Sequence, residues 1–215
     1  MYGQELIRKL EKRIEDFGMQ FHADSDDYFW WEVDIQCWLL RHLLDDPCFW
    51  LGFLDKGGRT RRIPLAHGNC PAKSGQRRYD IATYEPSVAD RIVREDYIPE
   101  KYPGEAKERP VLAAVEIARA HYNFYSKSNG HKRDIEEAFR RLVDGIDQFS
   151  RGYVVVAVTT YHGDKEGYCE LQELDKAKGW TKQKYYDCGK QATAKIKVYW
   201  VSDHPQDQPT WLDVE

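Results

Sequence analysis

The chain has 215 residues, of which 41% are hydrophobic and 32% charged, and it carries a formal net charge of −4 at pH 7. That is enough chain for one domain with a sizeable core, and its acidic total argues against a protein that coats nucleic acid without regard to site. No run approaches the roughly 18 consecutive apolar residues of a membrane span.

The opening MYGQELIRKLEKRIEDF is rich in charge, unlike a secretory signal, so a cytoplasmic protein is expected. Five cysteines, Cys37, Cys48, Cys70, Cys169 and Cys188, are an odd number without a CxxC spacing, which indicates neither a disulfide framework nor a zinc ribbon. His67 and Cys70 offer two zinc ligands at most, and no further pair is visible. Reduced thiols are the expectation.

In chain order, Ile7, Leu10, Ile14 and Phe17 recur at helical spacing and predict an amphipathic helix over residues 4–17. A second helix is predicted from about Tyr28 to Leu44. Placed at 100° steps, its Asp34, Arg41 and Asp45 face solvent, while Ile35, Leu39, Leu40 and Leu43 face the core. Glu32 and Gln36 fall one turn apart within that core face. CFWLGFL (48–54) and RRYDIATYE (77–85) then read as strands, and after an acidic insertion from Pro86 to Pro110, VLAAVEIAR reads as a third. Three consecutive strands suggest an antiparallel meander. A helix over about 128–149 follows, with Ile135, Phe139, Leu142, Val143 and Ile146 as its core face. Next come a buried strand at 153–161, a short helix around 170–179 and a last strand at 195–203.

Between Asp55 and Arg78 one acid faces seven basic residues: Lys56, Arg59, Arg61, Arg62, Lys73, Arg77 and Arg78. Such an excess suits either a solvated loop or a surface that contacts phosphates.

The centre of VLAAVEIARAH poses the sharper question. Glu116 sits among Val111, Leu112, Val115 and Ile117, where an uncompensated charge costs several kcal/mol. Alternation places Glu116 on one face with Ala114, Ala118 and Ala120, and places Asp80 on one face with Arg78, Ala82 and Tyr84. If these strands pair, the two carboxylates meet over a floor of alanines. They then require either a shared hard cation such as Mg²⁺ or Mn²⁺, or ion pairs with buried arginines. Glu32 is a third candidate acid.

An acid-bearing helix, three strands with an Asp in RRYDIA and a Glu in VEIA, then helix and strand, resembles the PD-(D/E)xK nuclease superfamily over about residues 28–161. The resemblance implies an α/β, restriction-endonuclease-like αβββαβ core within a single domain of residues 1–215, its mixed sheet flanked by helices, with an added N-terminal helix and C-terminal strand. It also implies that Asp80, Glu116 and the Ile117 carbonyl hold Mg²⁺ or Mn²⁺ with Glu32 assisting, and that the substrate is nucleic acid, DNA first. Dimers that cut both strands are common in the family. The family's lysine, two residues after the Glu, is here Ala118. Lys132, on the apolar side of the following helix, is the candidate for a migrated lysine, ahead of Lys127. The basic residues Arg59, Arg61, Arg62, Lys73, Arg77 and Arg78 would contact the phosphate backbone. The rival expectation is a nuclease fold without catalysis, serving as a binding module that uses the tryptophans at 30, 31, 38 and 50.

Overall fold

The strand β5 (Val111–His121) is buried along nearly its whole length because helices cover both of its faces. In the computed structural model the described residues are 2–23, 32–54, 58–71, 78–85, 111–121, 129–162 and 167–213. Helices α1 (Tyr2–Ala23) and α2 (Glu32–Asp45) come first, then a 3-10 turn at Pro47–Phe49 and strands β1 (Trp50–Leu54), β2 (Thr60–Pro64), β3 (Ala66–Pro71) and β4 (Arg78–Tyr84). After β5 come α3 (Asn129–Asp144), β6 (Phe149–Thr159), the short β7 (Tyr161–His162) and β8 (Gly167–Tyr168), α4 (Leu171–Asp187), α5 (Lys190–Lys195), β9 (Ile196–Ser202) and β10 (Thr210–Leu212).

Six strands form one mixed sheet in the order β10–β9–β6–β5–β4–β3. β3, β4 and β5 are antiparallel neighbours, β6 lies parallel to β5, β9 parallel to β6, and β10 antiparallel to β9. The alternation of β5 and β6 divides the core in two. Ala114, Ala118, Val154 and Val156 pack with Ile135, Phe139 and Leu142 of α3 and with Leu174 and Ala177 of α4. Val115, Ile117, Val155 and Ala157 pack with Ile14 and Phe17 of α1 and with Ile35, Leu39 and Leu43 of α2.

Helix α1 reaches across the sheet to its far side. Its Glu11 accepts from Tyr153 Oη at 3.0 Å and pairs with Lys197 Nζ at 2.8 Å, and its Glu15 accepts from Trp211 Nε1 at 2.9 Å. Gly18 is needed for this approach, since a Cβ there would lie 2.4 Å from the Tyr199 ring.

The meander starts later than the sequence pattern indicates. β1, expected to be its first strand, pairs with β2 in a separate hairpin, and the sheet begins with β3. AHGNCP carries a glycine, a proline and no apolar alternation, a composition that an edge strand tolerates and a pattern search misses. The sequence order also lacks β2, β7, β8, α5 and β10, and its helix around 170–179 runs on to Asp187. The insertion from Pro86 to Pro110 lies outside the described residues. Among those described, no helix is long and apolar enough to cross a membrane, and Cys37, Cys48, Cys169 and Cys188 are free thiols.

Candidate metal and catalytic site

The β4–β5 ladder runs from Tyr84–Val111 to Ile81–Val115. One step further its register sets Asp80 against Glu116, and there side chains take over the hydrogen bonding. The Ile117 N–H donates to Asp80 Oδ2 at 2.7 Å, where a regular ladder would offer a main-chain carbonyl. The Asp80 carbonyl in turn accepts from Gln36 Nε2 of α2. On the other side of β4, Gly68 pairs with Ile81 and Cys70 with Tyr79, so Asp80 lies opposite Asn69, whose φ is 51°. Asn tolerates that left-handed conformation better than most residues. The alternation of β4 also breaks here. Tyr79, expected on the face opposite Ala82 and Tyr84, joins their core cluster. Asp80 thus stands where the sheet is irregular on both sides, and its backbone is held from α2.

Glu116 is 0% exposed and Asp80 8%. Glu116 Oε2 accepts from Arg141 Nη1 of α3 at 3.0 Å, and Arg141 Nε also reaches Glu137 Oε1 at 3.4 Å. Glu116 Oε1 is buried with no hydrogen-bond partner among the described residues. Burial pushes the Glu116 carboxyl up to about 9, with Asp80 and Glu32 adding to the rise and Arg141 opposing it. Asp80 is raised by burial, against the Ile117 N–H and Arg141. Glu32, at the exposed first residue of α2, is raised by burial of its carboxyl group and then by Asp80. Burial opposes the charge on Arg141, but Glu116 and Glu137 outweigh it and raise its pKa. Tyr79 is pushed up to about 12 by burial and by Glu116. The three acids therefore sense one another, and one arginine does not neutralise them.

This donor set fits a single hard cation in a limited way. Among the described residues no group of three or more His, Cys, Asp or Glu side chains is gathered tightly enough to hold an ion. Two carboxylates remain, one with an orphaned buried oxygen. In an extended strand the N–H and C=O of one residue point the same way. The Ile117 carbonyl thus faces the same gap as its N–H. Mg²⁺ is commonly held by one or two carboxylates and completes its shell with water, so the set is sufficient.

The other expected residues are placed as follows. Lys132 lies on the α4 side of α3, its Nζ 5.9 Å from the centroid of the Trp180 ring, and the cation bonded to Glu116 is Arg141. Arg59 and Arg62 are exposed at the β1–β2 hairpin. Arg61 and Arg78 belong to β2 and β4, with side chains outside the described set. Lys73, Arg77, Lys127, Trp30 and Trp31 lie outside the described residues. Trp38 is half-buried against Phe17 and donates to Gln20 at 2.8 Å, while Trp50 donates to the Leu44 carbonyl at 2.6 Å.

A second buried acid cluster was not foreseen. At the end of β9, Asp203 accepts from the Thr160 N–H at 2.6 Å and from the Thr160 hydroxyl. Asp207 accepts from Trp200 Nε1, Ser202 Oγ and Lys178 Nζ, each at 2.7 Å. No protein-family model, curated protein or solved structure matches the chain.

Proposed function

We propose that the chain is a divalent-metal-dependent phosphodiesterase with a restriction-endonuclease-like core, acting on DNA. The observation that carries this reading is Glu116, fully buried with one orphaned carboxylate oxygen, set by strand register against Asp80. The order α2, β3, β4, β5, α3, β6 supports it, since it matches an αβββαβ core with α1, the β1–β2 hairpin and the later strands added.

Asp80, Glu116 and the Ile117 carbonyl would hold Mg²⁺ or Mn²⁺, with Glu32 approaching from α2. A cation there supplies positive charge for a phosphate and acidifies water. Gln36 keeps the Asp80 backbone in place, and the Ile117 N–H orients the Asp80 carboxylate. Arg141 is the cation available for the task of the missing lysine. It is restrained by Glu116 and Glu137, and its planar fork can turn a donor to a nonbridging phosphate oxygen. Arg59 and Arg62 would meet backbone phosphates from the hairpin, which orients DNA without reading its sequence. The reading is tested by cleavage of plasmid, linear duplex, single-stranded DNA and RNA with Mg²⁺ or Mn²⁺, native protein against Glu116→Gln. Cutting that needs metal and Glu116 supports it; no cutting of any substrate sinks it.

A second reading is favoured by one specific observation, the 3.0 Å bond from Arg141 to Glu116 beside Ala118. A core whose acid is already paired and whose lysine is lost suits a binding module without catalysis. That reading expects Mg²⁺ and Mn²⁺ to leave thermal stability unchanged.

A further inference from the structure

The carboxyl end of β5 and the first turn of α3 border a cavity of about 290 Å³, lined among the described residues by Arg119, Ala120, His121 and His131. Three of these four side chains present nitrogen donors, and no carboxylate is among them. The His131 ring borders the cavity, and its Nδ1 has no accessible surface and no hydrogen-bond partner among the described residues. Burial opposes the charge on the Arg119 guanidinium, and Asp203 and Asp34 lie within its electrostatic reach and favour that charge. With five donors it serves those acids and a ligand together.

From Glu116 to Ala120 β5 advances four residues, about 13 Å at ~3.3 Å per residue. The cavity is therefore too far away to hold the phosphodiester that would be cut at the carboxylate site, yet a nucleic-acid strand of a few nucleotides spans both. At the lower end of the ~300–1,000 Å³ range of ligand pockets, it has room for a phosphate and its sugar. A chain continuing in both directions would need more space.

We infer that this cavity binds a terminal phosphate monoester, the dianionic end of a nucleic-acid strand whose interior reaches the carboxylate site. The identity of the molecule rests on the phosphodiesterase reading; recognition of the phosphate rests on the cavity alone. An imidazole N–H and an arginine fork are the donors that such a dianion requires.

The test is equilibrium binding of the full chain, in EDTA so that nothing is cut, to labelled oligodeoxynucleotides carrying a 5′ phosphate, a 3′ phosphate or neither. One phosphorylated form is expected to bind at least about tenfold tighter than the bare strand, which is ~1.4 kcal/mol. Inorganic phosphate should abolish that advantage by competition. Arg119→Ala and His131→Ala should each remove it while binding of the bare strand is unchanged, and Arg119→Lys should retain part of it. Equal binding of all three strands overturns the inference, as does an advantage that survives both alanine variants. Inorganic phosphate that binds without any preference among the strands overturns the assignment to a nucleic-acid end. Failure of the phosphodiesterase reading looks different: no cleavage with Mg²⁺ or Mn²⁺ while the preference for a phosphorylated end persists.

Discussion

Among the described residues lie two pairs of buried aspartate or glutamate side chains, and the chain treats them in opposite ways. Asp203 and Asp207 are surrounded by a backbone N–H, two hydroxyls, an indole and a lysine, so each charge is offset where it stands. Asp80 and Glu116 share one arginine and one N–H, and an oxygen of Glu116 has no partner. A carboxylate whose partners are complete is a structural device. One left short inside a core raises the energy of the folded state unless a cation or proton arrives.

Breaking the short-handed pair should give the largest effect. Glu116→Gln is expected to lower metal-dependent cleavage by more than roughly 100-fold, beyond what outer partners of a metal contribute, with thermal stability kept near neutral pH, where burial already keeps the Glu116 carboxyl protonated, and raised toward pH 9, where the native chain would bury a charge. If cleavage persists, the carboxylates are not the site. Breaking the saturated pair should act on stability instead. Asp207→Ala leaves the Trp200, Ser202 and Lys178 donors without their acceptor and should cost about 3 kcal/mol in urea unfolding, with metal affinity unaltered. An Asp207→Ala protein as stable as the native one would erase the contrast.

The pH dependence sharpens it further. Glu116 titrates near 9 in the fold against an ordinary value of 4.5. Across that window the folded chain therefore holds a proton that the unfolded chain has released, and stability falls as pH rises from about 4.5 to about 9. Saturating Mg²⁺ or the Glu116→Gln substitution should flatten that fall, as read by melting temperature at a series of pH values. Arg141→Gln removes the partial compensation and is expected to cost on the order of 1–3 kcal/mol without metal, a loss that Mg²⁺ restores in part; no rescue favours the binding module. The smallest effect is expected for Lys132→Ala, whose cation–π contact with Trp180 is worth about 0.5–1 kcal/mol and whose loss should leave cleavage within about threefold.

The same contrast explains what the sequence disclosed. Ile7, Leu10, Ile14 and Phe17, and Ile35, Leu39 and Leu43, were legible because burial follows helical periodicity, and all of them are in the core. Asp80 and Glu116 stood out because each acid interrupts a strand pattern. Asp203 and Asp207 did not, since SDHPQDQ reads as an ordinary polar tail and its burial depends on Trp200 and Lys178, which only the fold brings near. Arg141 was equally silent. It belongs to the charged face of an amphipathic helix, and nothing local marks which of that helix's three arginines, Arg133, Arg140 and Arg141, turns toward the sheet. β3 escaped because its partner, not its pattern, makes it a strand.

Helix α1 has a consequence for how the protein is made. Its Glu11 waits for Lys197, which lies 186 residues further along, so at roughly 5–20 residues per second the ribosome needs about 10–40 s to deliver that contact. Through that interval the apolar stripe of Ile7, Leu10, Ile14 and Phe17 has no finished sheet to cover. A nascent chain of this design carries that stripe uncovered until β9 emerges, and termination before β9 would leave it without its sheet.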